Sequence, residues 1–130
     1  MDYVIAYIAC AIIFFPIDYV WLSQMGGRFY KPQLGDLMLD KPRLGIAGLF
    51  YLAYLGGVVL FAVVPADSVA NAFILGGVLG FIAYGTYDLT NLSTVKGFTA
   101  AVAFVDMAWG ATLTAVAAAG GHWALSVLAG

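Results

Sequence analysis

VANAFILGGVLGFIAYGTYDLTNL, residues 69–92, reads as a helix made to lie in lipid. It is long enough to cross a hydrocarbon core of about 30 Å. It contains no proline, and its one formal charge is Asp88. Ser68, immediately before it, is a suitable N-cap. Toward its end the apolar run breaks into a pattern. Tyr84, Tyr87, Asp88 and Asn91 recur at i, i+3, i+4 and i+7, so they share one helical stripe, with Thr86 and Thr90 beside it. Upstream, Gly76 and Gly80 form a G-x-x-x-G step, which lets two membrane helices approach closely. The step leaves open whether the partner is another span or another copy of the chain. An acid in mid-bilayer costs roughly 2.5–3.5 kcal/mol on insertion scales, so Asp88 asks for a reason.

Three more stretches have the same character: residues 3–23, 44–64 and 98–119. The expected fold is all-α, a polytopic four-transmembrane-helix bundle forming one membrane domain over residues 1–130. With 64% hydrophobic and 9% charged residues, the chain lies outside the usage of soluble domains and lacks the basic surface of a nucleic-acid binder. The first stretch has no positive n-region and no A-x-A site, and it carries Pro16, Asp18 and Trp21. It is therefore expected to be a retained helix and not a cleaved leader. Pro16 removes a backbone donor and should kink it. Pro42 suits the first turn of the second span. The one cysteine, Cys10, has no internal disulfide partner and reads as a small packing residue. Gly120-Gly121 is expected to interrupt the fourth span, leaving His122 and Trp123 at the membrane interface. Ala108, Ala111 and Ala115 line one side of that span.

Arg28, Lys31, Lys41 and Arg43 fall between the first two spans, and Lys96 falls between the last two. By the positive-inside rule both connections face the cytoplasm, with both termini and the Pro65–Ser68 turn outside. In the first connection, Leu34, Leu37 and Met38 fall at i, i+3 and i+4 between Pro32 and Pro42, with Asp36 and Asp40 elsewhere. Two readings stay open there, a short interfacial helix and a polar loop. In the helical reading Tyr30, Lys31 and Arg43 anchor it at the interface. A weak echo, D-x-x-x-L-S at Asp18–Ser23 and again at Asp88–Ser93, has too few matches to carry a duplicated hairpin.

The other spans repeat the aromatic-plus-polar theme. Asp18 pairs with Trp21 and Asp106 with Trp109, each three apart, and Tyr51 pairs with Tyr54. At a rise of about 1.5 Å per residue, these groups lie roughly 9–15 Å from the cytoplasmic helix ends, all at one level. The four faces are expected to share a cavity that opens inward. Neighbouring buried acids can carry protons or bind a cationic or hydroxylated ligand. Packing alone is the weaker explanation, since interhelical hydrogen bonds average only ~0.6 kcal/mol. On this reading Asp18, Asp88 and Asp106 are the charged or proton-carrying groups. Tyr84, Tyr87, Tyr51 and Tyr54 bond or stack, Asn91 orients, and Trp21 and Trp109 wall the pocket.

Other chemistry is absent. One His and one Cys do not make a typical zinc site, and there is no P-loop, G-x-S-x-G or dinucleotide glycine fingerprint, so no cofactor or metal is expected. The Tyr-Asp pair slightly resembles intramembrane aspartyl proteases, but their second G-x-G-D motif is missing.

D-x-x-W-L at Asp18–Leu22, L-F-Y-L-A-Y at Leu49–Tyr54, Y-G-T-Y-D-L-T-N at Tyr84–Asn91 and V-D-M-A-W-G at Val105–Gly110 together carry a resemblance. The chain resembles a family of small bacterial membrane proteins classed as a domain of unknown function. The resemblance spans nearly the whole chain and implies four spans in the inner (cytoplasmic) membrane, with no activity attached. The expected partners are the lipid bilayer and a small or lipid-derived ligand, with no nucleic acid. Because four short helices leave little room for a lumen, a homodimer or larger membrane complex is also expected. Proton-coupled transport is the first functional expectation. A lipid-modifying enzyme using an Asp as general base, and a structural or assembly subunit, are the alternatives.

Overall fold

The computed structural model describes residues 2–38 and 43–129. It contains four long helices and no strand among the described residues. These are α1 (Asp2–Leu37), α2 (Leu44–Val63), α3 (Val69–Thr94) and α4 (Ala100–Leu128), each long and apolar enough to cross a membrane. Asp40, Lys41 and Pro42, the last expected in the first turn of α2, lie outside the described residues.

The two short connections are capped in sequence-local ways. Ser68 Oγ accepts the Asn71 N–H at 3.0 Å, and Asn71 Oδ1 accepts the Asp67 N–H at 3.0 Å. Two donors that the start of α3 would otherwise leave open are thus satisfied. Replacing Ser68 with alanine is expected to cost about 1 kcal/mol, read as a lowered thermal-unfolding midpoint in detergent. At the other end Gly97 adopts φ 89°, a left-handed conformation that reverses the chain between α3 and α4 without a Cβ penalty. Thr99 Oγ1 then caps α4 by accepting the Val102 N–H at 3.2 Å.

The central element is α4, the best buried of the four. α1 and α3 run antiparallel to it, and α2 runs parallel. The α3–α4 pair is the tightest contact. A β-carbon on Gly76 would sit 2.7 Å from both the Ala118 β-carbon and the Thr114 carbonyl oxygen. One on Gly80 would run into the Gly110 carbonyl oxygen and lie 2.8 Å from Thr114 Cβ. The partner of the G-x-x-x-G step is therefore α4 of the same chain. On the α1 side, Cys10 Sγ donates to the Ala117 carbonyl at 3.3 Å and fills the space beside Gly121.

Gly120-Gly121 does not break the fourth helix, which runs through it to Leu128. The pair is a contact surface: Gly120 faces Ile13, and Gly121 faces Cys10 and Val63. Glycine here removes side-chain bulk where α1 and α2 press on α4, and the surrounding packing offsets its poor helix propensity. His122 is half-buried, with Nδ1–H donating to the Val63 carbonyl at 3.2 Å, so it caps the end of α2. Trp123 is exposed.

The bundle divides into two halves along its length. Toward the termini lies an apolar core of Phe14, Leu55, Val58, Val63, Leu113, Ala117 and Ala118. Toward the connections, α1, α3 and α4 converge on polar side chains. α2 packs against the others mainly through its later residues, which close in a π turn over Val59–Val63. Its first half is loosely held: Leu44, Ile46 and Leu49 are exposed, and Gly45 and Gly48 have open space where a β-carbon would be. Ile12, Leu49, Phe61 and Ile74 are exposed apolar side chains, one on each of α1 and α3 and two on α2, as lipid contact requires.

α1 passes Pro16 without ending and continues well beyond residue 23. It runs through a π turn at Gly26–Tyr30, one α turn at Lys31–Leu34 and a 3-10 turn at Gly35–Leu37. Lys31–Leu37 is thus helical, but as a continuation of the first span and not a separate interfacial element. The π turn keeps the backbone bonded across Gly26-Gly27, with the Lys31 N–H donating to the Gly26 carbonyl. Thr99 Oγ1 donates to Gln33 Oε1 at 3.0 Å, and Leu37 packs on Gly97, so the extension straps across the α3–α4 turn.

Candidate functional site

The register of the α3–α4 hairpin decides which polar groups meet. Tyr84 packs its ring on Gly110, and Gly85 packs against Met107. One turn further along each antiparallel helix come Asp88 and Asp106, which therefore face each other, close enough to interact directly. Asp88 is fully buried, 0% exposed, and neither carboxyl oxygen has a hydrogen-bond partner.

α1 supplies the next layer. Asp18 is 6% exposed, and its Oδ1 accepts the Trp109 Nε1–H at 3.1 Å. Asp106 lies near enough to Asp18 to interact electrostatically. The Trp109 ring stacks on Trp21 with centroids 4.1 Å apart and planes 6° from parallel. Trp21 Nε1–H in turn donates to the Tyr30 hydroxyl at 3.1 Å, and Tyr30 O–H donates to Asp106 Oδ1 at 2.9 Å. Asp18 and Asp106 are thus both tied to one aromatic stack, Asp18 directly and Asp106 through Tyr30, each held by a donor from the other helix.

The tyrosines of α2 and α3 form the remaining wall. Tyr54 Oη lies 2.8 Å from Thr114 Oγ1, and its ring meets Tyr84 edge-on at 6.2 Å. Tyr84 Oη is buried without a hydrogen-bond partner, with the Tyr51 hydroxyl nearby. Asn91 is half-buried beside Tyr87. Tyr87 stands at the margin, 60% exposed, with its ring edge-on to Phe98. On the other side of the tryptophan stack, Pro16, Ile17, Val20, Gln24 and Met25 line an apolar groove of about 490 Å³. Pro16 borders this outer groove.

The structure brings Asp18, Asp88, Asp106, Trp21, Trp109, Tyr51, Tyr54 and Tyr84 into one cluster, with Asn91 and Tyr87 at its edge. The groups around the acids are phenols, indoles and other carboxyls. The described basic side chains Arg28, Lys31, Arg43 and Lys96 are all exposed. Two members were not foreseen. Tyr30, read as an interface anchor, is 8% exposed and bonded to Asp106 and Trp21. That reading ended the first helix near residue 23 and so placed Tyr30 in a connection. The signal for the longer helix was the absence of any proline between Pro16 and Pro32. Thr114 was overlooked as one small residue in an alanine-rich run, though it lies one helical turn from Gly110.

Four apolar helices with a buried acidic and aromatic cluster define an integral, polytopic all-α membrane protein. The chain belongs to a family described as "Predicted membrane protein (DUF2177)", matched over residues 3–123. No curated protein and no solved structure matches it.

Proposed function

We propose that this chain is a single-domain, multi-pass protein of the bacterial inner membrane that binds a small or lipid-derived ligand in the acid–tyrosine cluster and transports it, coupled to protons. The observation that carries this reading is the Asp88 carboxyl, fully buried beside Asp106 with both oxygens unpartnered. Such a group is costly unless something with a donor engages it, and intramembrane acids of this kind mark ion and substrate paths. Asp106 and Asp18 share the charge, and Tyr84, Tyr51 and Tyr54 offer hydroxyls and ring faces. Asn91 and Tyr87 line the approach from the side where α2 is loosely held, while Trp21 and Trp109 separate the acids from the apolar groove. That groove suits the chain of a lipid-derived ligand. The positive-inside rule, applied to Arg28, Lys31, Lys41, Arg43 and Lys96, supports an opening toward the cytoplasm and termini outside. A homodimer would supply the wall that four helices do not.

Mass spectrometry of small molecules and lipids that co-purify with the protein tests the reading. Wild type is expected to retain a compound that Asp88→Asn loses by at least about tenfold, the equivalent of ~1.4 kcal/mol, within the cost of removing one buried hydrogen-bond partner. The same compound should cross liposome membranes only with wild type present. Identical co-purification profiles in two equally folded proteins would instead favour a structural subunit.

A further inference from the structure

The three acids are not equivalent. Asp18 has an indole N–H donor from Trp109, and Asp106 has a phenol O–H donor from Tyr30. Asp88 has none, is the most buried of the three, and faces Asp106. We propose that Asp88 and Asp106 form a single proton-binding unit in which Asp88 keeps the proton and its O–H donates a hydrogen bond to the Asp106 carboxylate, with Tyr30 fixing that order by occupying Asp106 Oδ1. The proposal rests on the proton coupling named above and assigns it to one pair.

The geometry argues this in three steps. An ionised Asp88 would be a fully buried charge with no donor, next to a second carboxylate, in a medium that screens neither. A neutral Asp88 has an acceptor at hand, and the bond from its O–H to Asp106 is of the strong, charge-assisted kind. The reverse arrangement, with the proton on Asp106 and the charge on Asp88, would leave the charge on the carboxyl that has no second donor while Tyr30 donates to the neutral one. Every element packed round the pair contributes to this balance: Asp18 and Tyr30 from α1, Tyr51 and Tyr54 from α2, Tyr84 and Tyr87 from α3. None is basic. Among the described residues no three of the Asp, Glu, His and Cys side chains are grouped to hold a metal ion, so the site has the form of a dyad and not of a cation cage.

Tyr30 belongs to the π turn Gly26–Tyr30, beside Gly26-Gly27, and π turns recur at functional sites. Its position makes it a positioning residue for the proton: withdrawing its hydroxyl from Asp106 would make the two carboxyls more nearly equal and release the proton's preference for Asp88.

Infrared spectroscopy of the protein in lipid nanodiscs, at neutral pH and with no ligand added, tests the assignment. Wild type should show a carbonyl-stretching band of a protonated carboxyl that shifts in D2O. Asp88→Asn should abolish it, whereas Asp106→Asn should keep it at a shifted frequency and Asp18→Asn should also retain it. Tyr30→Phe, which removes only a hydroxyl, should shift the band without abolishing it. No protonated-carboxyl band in wild type would overturn the proposal, as would a band that survives Asp88→Asn. Should Asp88→Asn not fold, an unchanged band in Tyr30→Phe would overturn it alone. Because no ligand is present, a band behaving as described while no compound co-purifies would separate a correct proton site from a failed ligand reading.

Discussion

Replacing Gly80 with leucine is expected to disrupt the bundle more than any other single change in α3. At this position a β-carbon alone would collide with the carbonyl oxygen of Gly110 and crowd Thr114 Cβ at 2.8 Å. The first obstacle is backbone in the middle of α4, which cannot rotate away as a side chain could. Forcing the helices apart also breaks what depends on their register: the Tyr84 ring on Gly110, the Tyr54–Thr114 contact and the meeting of Asp88 with Asp106. Overpacking a tight core costs about 1–3 kcal/mol, and a larger figure is expected here because the whole hairpin must move. In lipid no hydrophobic driving force restores the contact, since helix association depends on close packing itself. The expected result is loss of the folded monomer from size-exclusion chromatography, or a fall of at least ~3 kcal/mol in stability on SDS titration. Gly48→Leu is the matching control. That glycine has open space around it on α2, so its enlargement should leave intramolecular stability within about 0.5 kcal/mol. Equal behaviour of the two variants would contradict the packing described for α3 and α4.

That contrast also shows what could be read from the residues alone. The spans stood out because lipid imposes length and apolarity on every crossing helix, and the structure places one such helix on each expected stretch, with the first and fourth running well past their expected ends. The stripe Tyr84, Tyr87, Asp88 and Asn91 was visible for the same reason, as a polar break in an apolar helix. Periodicity places side chains round one helix, however, and says nothing of which neighbour they meet. The partner of Gly76 and Gly80 depends on the α3–α4 register, which the left-handed Gly97 and the cap at Thr99 set together. Gly120-Gly121 looked like a stop because glycine is a poor helix former, a rule that close packing against Ile13, Cys10 and Val63 overrides. Tyr30 was hidden by a different mechanism. A π turn inserts a residue into the helix and changes the phase of everything after it, so no regular period connects Asp18 and Trp21 to Tyr30. Its role rests on a contact across 76 positions of sequence, which hydropathy cannot show.

Trp109→Ala is the second change expected to have a large effect, and it acts through chemistry as well as packing. The indole stacks face to face on Trp21 at 4.1 Å and donates its N–H to Asp18, which is nearly buried. Truncation therefore removes an aromatic contact, leaves Asp18 without its donor and opens the wall between the apolar groove and the acids. Deleting a large aromatic side chain from a soluble core costs about 3–5 kcal/mol. In a bilayer, lipid chains replace part of the lost contact, so about 2–4 kcal/mol is expected. Trp109→Phe separates the contributions. It keeps a ring against Trp21 but leaves Asp18 a buried acceptor without a partner, worth about 1–3 kcal/mol by itself. Trp123→Ala, at an exposed position, should stay within about 0.5 kcal/mol of wild type. SDS titration followed by far-ultraviolet circular dichroism would rank the three. The order expected is Trp109→Ala, then Trp109→Phe, then Trp123→Ala. If Trp109→Phe matched wild type, the bond to Asp18 would carry no weight, and the tryptophan pair would be a packing feature alone.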